Sequence, residues 1–171
     1  MTSTADRRRR ATAIHEAGHA VAAWRLGRAF RSVTIRADED SLGHVRHRDV
    51  PAWVRPDVEG STRTRLFLED SIIIALVGPE AERRIAGRAP ATVRKGAAHD
   101  HESAVDLASH LAGSTKERDA LLAWLRVRAQ DLVDHDRPRI ELLAAALLRQ
   151  DVLTWKAVKT LLNDSVLKRL H

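Results

Sequence analysis

Two histidines four residues apart, with a glutamate beside the first, are the residues best placed to do chemistry in this sequence. His15, Glu16 and His19 form an H-E-x-x-H pattern. On an α-helix, residues four apart lie on one face, so both imidazoles could bind the same metal ion. Glu16 would then stand beside the metal, where it could activate a water molecule as a general base. The pattern indicates a hydrolytic metal site; the alternative is a helix that carries two histidines by coincidence.

The residues around this pattern predict a buried helix over residues 6–26. Gly27 follows it and is a typical C-terminal cap. Ala17 and Gly18 are small enough for another element to pack closely against the helix. Because glycine in a helix costs about 1 kcal/mol relative to alanine, a packing or functional reason for Gly18 is expected.

A small β element should follow the first helix. Residues 30–36 alternate, with Val33 and Ile35 on one face, which predicts a half-buried strand. A second extended segment is expected over residues 41–48. Since only a short acidic turn separates the two segments, they predict a hairpin or small sheet near residues 30–48.

The rest of the chain shows helical patterns. Helices are predicted over residues 61–87 with a break or kink at Gly78-Pro79, over 99–111, over 115–134 behind a capping box at Ser114, from Pro138 onward, and from a cap at Thr154 onward. Loops are expected at residues 51–60 and 88–97. The fold class is therefore predicted to be mainly α (α+β), in a single domain over residues 1–171.

Composition narrows the kind of metal site. The 171 residues are 44% hydrophobic and 30% charged, as in a soluble globular protein, and include no cysteine. Disulfides, thiolate ligands and cysteine nucleophiles are excluded, so histidine, aspartate or glutamate must hold any metal. No apolar run approaches the roughly 18 residues of a membrane span, and no apolar segment follows the basic N-terminus as in a secretory signal. A cytoplasmic location is expected.

The chain is basic, with 29 Lys and Arg against 23 Asp and Glu and a net charge of +6. Such a charge could attract nucleic acid or acidic partners. No recognition motif or aromatic platform accompanies it, so solvated helix faces are the preferred interpretation and nucleic-acid binding is not expected. The cluster at residues 7–10, within a basic leader over residues 1–10, is interpreted as a frayed or helix-leading segment.

A catalytic zinc site usually needs a third protein ligand and an open position. The strongest candidate is Asp100, because it is predicted in the first turn of a helix, where cap geometry would hold its carboxylate. Helix capping alone would also explain an aspartate there. His99, His101 and Glu102 have equally suitable chemistry, so spacing alone leaves the choice open.

The order and spacing of several motifs resemble the peptidase domain of the FtsH-type ATP-dependent zinc metalloproteases. The segments that carry the resemblance are residues 15–21 (the family's H-E-A-G-H-A), 32–35 and 42–43 (its strand and edge segment), 77–82 with Gly87 (its G-G-R-x-A-E-E helix), 96–100 (its G-A-x-x-D motif) and 140–148 (its final helices). The resemblance covers the chain from Ile14 onward.

The resemblance implies a helical, zincin-type zinc metallopeptidase domain acting on polypeptides. His15, His19 and Asp100 would bind Zn²⁺, and Glu16 would be the general base. The segment Leu42-Gly43 would bind the substrate as an added strand. Glu82 would either support a zinc ligand or form a helix–helix hydrogen bond.

The chain also departs from the family, which places an AAA+ ATPase module before the peptidase. Only 14 residues precede His15, so we expect a stand-alone domain that depends on an AAA+ ATPase in trans or on homo-oligomerisation. Pro79-Glu80 and Arg83 replace residues of the family's helix motif. The alternative function is a non-proteolytic zinc-binding regulatory or adaptor domain. Ni²⁺, Co²⁺ or Fe²⁺ could occupy the same site.

Overall fold

A computed structural model describes residues 3–36, 43–47, 49–55, 61–87 and 95–167. Within these ranges the chain forms five helices and three strands, in the order α1 (Thr4–Arg25), β1 (Phe30–Thr34), β2 (His44–His47), α2 (Thr62–Ile85), α3 (Lys95–Ser109), α4 (Thr115–Arg149), β3 (Val152–Thr154) and α5 (Trp155–Leu167). The predicted mainly α class with a small sheet is confirmed.

Helix α1 lies at the centre of the fold and packs against both α2 and α4. Every residue from Ala11 to Ala23 is buried, because small and apolar side chains cover all faces of this stretch. Gly18 permits a close crossing: a Cβ there would lie 2.9 Å from the Cβ of Ala81 on α2. The expected packing reason for Gly18 is thus confirmed. Gly27 caps the helix in the left-handed conformation, with φ of 70°.

The basic N-terminal segment is part of α1. Ser3 caps the helix by accepting from the backbone N–H of Asp6, and the Asp6 carboxylate accepts from the N–H of Ser3 in return. The predicted start at residue 6 was therefore two residues late. The arginines at 7–10 occupy exposed helical positions, so they lead the helix rather than fray from it.

The sheet has the strand order β2-β1-β3, with both pairings antiparallel. Val33 in the central strand pairs with Val45 on one side and Leu153 on the other. The predicted hairpin between β1 and β2 is confirmed. The third strand was missed because it has only three residues, too few for an alternating pattern to emerge.

Of the break or kink predicted at Gly78-Pro79, the break is wrong, because α2 continues through it to Ile85. A proline inside a helix costs about 3 kcal/mol. Burying one large aliphatic side chain returns about 1.5–3 kcal/mol, and buried side chains lie on both sides of the proline, including Val77 and Ala81. Packing against α1 therefore outweighs the local cost.

Helix α4 likewise runs without interruption past Pro138, where the sequence predicted two helices. Ile140, Leu143 and Leu147 are fully buried beyond the proline, so the continued helix gains core contacts. Half of the predicted capping box is confirmed, since the Ser114 side chain accepts from the N–H of Glu117. The Glu117 carboxylate accepts from the N–H of Gly113 rather than from that of Ser114. Thr154 also caps α5 as predicted, accepting from the N–H of Ala157.

Helix α3 begins at Lys95, four residues before the predicted start at His99. Residues 95–97, predicted as loop, are therefore helical, and Asp100 lies in the second turn of α3. Cap geometry in a first turn does not hold its carboxylate, contrary to the sequence-based expectation. No helix within the described ranges combines the length and apolar character required to cross a membrane.

Candidate metal centre

Three side-chain atoms from two helices converge beside the centre of α1. The Nε2 atom of His15 lies 2.9 Å from Oδ2 of Asp100 and 3.0 Å from Nε2 of His19. The distance from His19 Nε2 to Asp100 Oδ2 is 3.3 Å. Within the described part of the chain, this is the only group of three or more His, Cys, Asp or Glu arranged to share one ion. The structure therefore brings together the three residues that the sequence nominated.

The spacing of these atoms fits a divalent metal ion. A tetrahedral zinc ion with ligand distances of about 2.0–2.1 Å keeps neighbouring ligand atoms roughly 3.3 Å apart. The observed separations of 2.9–3.3 Å are close to that geometry. Two imidazole nitrogens and one carboxylate oxygen are also a donor set that zinc commonly takes, so the residues present fit the metal.

Hydrogen bonds on the far side of each imidazole fix its orientation. Nδ1 of His19 donates to the backbone carbonyl of Ile74 at 2.7 Å, since a carbonyl can only accept. Nδ1 of His15 lies 3.2 Å from the carboxylate of Glu82. With a proton on each Nδ1, the lone pair of each Nε2 is directed into the group.

The position of Glu82 is compatible with both of the roles that the sequence left open. Its carboxylate orients His15, and the same hydrogen bond joins α2 to α1. Both partners are buried, with side-chain exposures of 5% for His15 and 8% for Glu82, so water competes little for this contact. This buried contact predicts that Glu82 positions the candidate ligand His15.

Replacement of Glu82 by alanine should weaken zinc binding by about 10- to 100-fold, the usual effect of removing a partner that orients a ligand. The affinity can be measured by competition with a chromogenic chelator. Glutamine at this position keeps a hydrogen-bond acceptor and should restore most of the affinity. A Glu82→Ala variant with wild-type zinc affinity would contradict the positioning role.

The charges of the group strongly perturb its titration. Burial by itself would lower the pKa of His15, but hydrogen bonds to Asp100 and Glu82 outweigh it and raise the pKa to about 9. Burial also opposes the charged form of His19, and the carboxylate of Asp100 again raises the pKa. The two imidazoles lower the pKa of Asp100 well below its usual range, against the effect of burial. A metal ion entering the group must therefore displace a proton.

Glu16 lies next to the group on α1 and is buried, with 5% of its surface exposed. Gly43, just before β2, passes close to it: a Cβ at Gly43 would lie 3.0 Å from Cγ of Glu16 and 2.8 Å from the carbonyl oxygen of Thr34. Only glycine permits this approach of the backbone. Leu42, the other predicted substrate-binding residue, lies outside the described residues.

The candidate metal centre opens into a cleft of about 1210 Å³. Glu16, the three candidate ligands and the edge strand β2 line part of it, and α2 and α3 contribute a largely apolar wall that includes Phe67, Leu68, Ile74, Ala75 and Leu107. His99 and Glu102 line the cleft without joining the metal-binding group, and His101 is exposed on α3. Of these chemically similar neighbours, Asp100 is the one that lies within the converging group.

Sequence reasoning missed the role of Gly78. The imidazole of His19 lies directly against this glycine, so a Cβ at Gly78 would overlap the ring. The signal in the sequence was a glycine inside a predicted helix, which often marks close packing. Because Pro79 follows it, Gly78 was interpreted as part of a helix break.

Replacement of Gly78 by alanine should displace the His19 ring. We expect a loss of about 1–3 kcal/mol in the free energy of unfolding from overpacking. Zinc affinity should fall at least about tenfold because a ligand is misplaced. Urea denaturation and chelator competition would measure the two effects. The control is Gly113→Ala, where the new Cβ would meet only the flexible end of Glu117, at 3.1 Å. Equal behaviour of the two variants would refute the contact.

Two histidines and an aspartate that converge beside a buried glutamate form a candidate hydrolytic metal centre, and a mainly helical fold holds them. No protein-family model matches the chain. The chain is similar to the ATP-dependent zinc metalloprotease FtsH 1 of Symbiobacterium thermophilum, with 32% identity over 188 aligned positions. The alignment covers 94% of this chain and 30% of that protein, so the chain spans less than a third of the curated relative it matches.

Proposed function

We propose that this chain is a zinc-dependent endopeptidase of the FtsH-type family, which hydrolyses peptide bonds in unfolded or flexible polypeptides. The observation that carries the proposal is the convergence of His15, His19 and Asp100 within 3.3 Å of one another, with Glu16 beside them. The similarity to a zinc metalloprotease over 94% of the chain supports it.

The three converging residues would hold Zn²⁺, which supplies a Lewis acid that acidifies water and polarises a carbonyl group. Glu16 takes the proton of the attacking water on its carboxylate and delivers it to the nitrogen of the leaving amine. Glu82 and the carbonyl of Ile74 keep the two imidazoles oriented during the reaction. Burial of these groups excludes competing water and strengthens the interactions among their charges.

The polypeptide substrate binds as an extended strand along β2. This strand lies at the edge of the sheet, and its residues line the cleft. Main-chain hydrogen bonds to such an edge hold an extended peptide regardless of its sequence. Since Gly43 lies against Glu16, a peptide beside Leu42-Gly43 has its backbone near the general base.

Binding as a strand requires an unfolded segment, so folded substrates need a separate unfolding activity. An AAA+ ATPase acting in trans, alone or with a homo-oligomer of this chain, is the partner that we propose. Flexible polypeptides need no such partner, which makes them the substrates to test first.

The purified chain should contain one zinc ion per molecule and cleave a disordered protein such as reduced casein. Metal content is measured by atomic emission, and cleavage by mass spectrometry of the fragments. A chelator should abolish cleavage, and added zinc should restore it. Bound zinc without cleavage would favour the adaptor function. A metal-free protein with salt-dependent DNA binding would point instead to nucleic-acid association.

A further inference from the structure

A single guanidinium group lies in the cleft beside the candidate metal centre. Among the described residues that line the cleft, Arg28 is the only lysine or arginine, although the whole chain has 29 of them. The other ionisable groups lining the described cleft are histidines and carboxylates, including Asp49 and Glu102. Among the described residues that line the cleft, Arg28 is therefore the one side chain with a permanent positive charge.

The position of Arg28 is fixed by its neighbours. Its backbone N–H donates to the carbonyl of Ala23 at 2.7 Å, within the turn that Gly27 makes at the end of α1. The guanidinium stacks over the ring of Phe67 on α2, 3.4 Å from the ring centroid. It also donates from Nη1 to the carbonyl of Phe67 at 3.4 Å. The side chain is thus held in place before any ligand arrives.

This arrangement leaves the guanidinium able to bind an anion. Stacking occupies the face of the group and leaves most of its N–H edge for hydrogen bonds. Arg28 makes no ion pair with a carboxylate of the described residues; Asp70 contributes only a longer-range attraction. Partial burial lowers the pKa of Arg28, yet an arginine stays charged at neutral pH. An anion that pairs with Arg28 would offset the cost of desolvating its charge.

Two residues of α2 mark the positions of Arg28 and of the candidate metal centre. Phe67, which supports the guanidinium, and Ile74, whose carbonyl accepts from His19, are seven residues apart and both line the cleft. Seven residues of α-helix span about 10 Å. An extended peptide covers the same distance in about three residues.

We propose that Arg28 selects substrates with a carboxylate about three residues from the scissile bond. The carboxylate belongs either to an aspartate or glutamate side chain or to a free C-terminus; both offer two oxygens for the paired N–H donors of arginine. This inference rests on the proposed peptidase function and assigns it a substrate preference.

Matched peptides test the preference directly. Internally quenched peptides are made in pairs, with glutamate or glutamine at each position on both sides of the cleaved bond, and all have blocked termini. A further peptide has glutamine at every tested position and a free C-terminal carboxylate. If a side chain supplies the carboxylate, the wild-type protein should have a roughly tenfold to hundredfold higher kcat/KM for the glutamate peptide than for its glutamine partner at a position about three residues from the cleaved bond. If the C-terminus supplies it, the peptide with the free C-terminus should show the same advantage over its blocked counterpart.

Variants then assign the preference to Arg28. In Arg28→Met the ratio of kcat/KM values should fall to near one, and Arg28→Glu should favour a lysine peptide instead. The matched control is Arg63→Met, which removes a guanidinium that stacks 3.8 Å from the ring centroid of Trp53 and does not line the cleft. This control should keep the wild-type ratio. A preference that persists in Arg28→Met, or that is lost in Arg63→Met as well, would overturn the assignment.

Binding separates this inference from the proposed function. Fluorescence anisotropy of the same peptide pairs on the Glu16→Gln variant should show the tenfold to hundredfold difference in Kd without cleavage. If the wild-type protein cleaves no peptide, Arg28-dependent binding would support anion recognition at Arg28 and refute the peptidase. Cleavage with equal kcat/KM for both members of every pair would support the peptidase and refute the preference assigned to Arg28.

Discussion

Replacement of Glu16 by glutamine should lower kcat for peptide hydrolysis by about 10²- to 10⁴-fold, the usual contribution of a general base. Glutamine has nearly the same shape but cannot accept a proton at neutral pH. Glu16 lies outside the converging group of ligand atoms, so the variant should keep its zinc. The measurement is single-turnover cleavage of a quenched peptide together with the zinc content of the same sample.

The control for this experiment is Glu141→Gln on α4, which removes a carboxylate from a surface ion pair with Arg137. It should cleave like the wild type, because a surface ion pair contributes less than about 1 kcal/mol to stability. Full activity in Glu16→Gln would show that the glutamate of the motif is not the base. Loss of zinc along with activity would mean that Glu16 maintains the metal centre instead.

Replacement of Asp100 by asparagine should weaken zinc binding by more than the roughly 10- to 100-fold expected for a residue that merely orients a ligand. Asparagine removes the negative charge that both imidazoles contact at 2.9 and 3.3 Å. Asp100 is mostly buried, with 20% of its side chain exposed, so solvent cannot readily replace it. Chelator competition measures the affinity, and cleavage should fall with zinc occupancy.

Asp106→Asn is the matched control, because Asp106 is an exposed residue of the same helix α3. Glu102→Gln tests the neighbouring carboxylate, which lines the cleft but lies outside the metal-binding group. Both variants should bind zinc as the wild type does. If Asp100→Asn keeps its affinity and Glu102→Gln loses it, the third ligand has been assigned to the wrong residue.

Local signals were sufficient for the first helix and for the alignment of its two histidines. The spacing of His15 and His19 predicts a shared face because helical geometry repeats every 3.6 residues, whatever the rest of the chain does. The caps at Gly27, Ser114 and Thr154 were predicted for the same reason, since each involves only residues within about one turn. The hairpin of β1 and β2 also follows from a short connection.

Predictions failed where distant packing competes with a local preference. The prolines at 79 and 138 disfavour a continuous helix locally, yet both helices continue because the residues beyond them are buried against other elements. The pairing of β3 with β1 joins segments more than a hundred residues apart, and three residues offer no pattern of their own. Local helix and strand propensities contribute less free energy than the burial of apolar side chains in a core.

The sequence by itself determined a helix with two histidines and a glutamate in register, and a short list of candidates for the third ligand. Chemistry alone could not choose among residues 99–102, because the choice depends on how α3 is rotated relative to α1. The tertiary structure favours Asp100, because it places Oδ2 of Asp100 2.9 Å from Nε2 of His15, 85 positions away in the chain. It also decided that Gly78 makes room for His19 and that Arg28 lies in the cleft. These contacts join separate elements, and only the packing of the whole fold determines them.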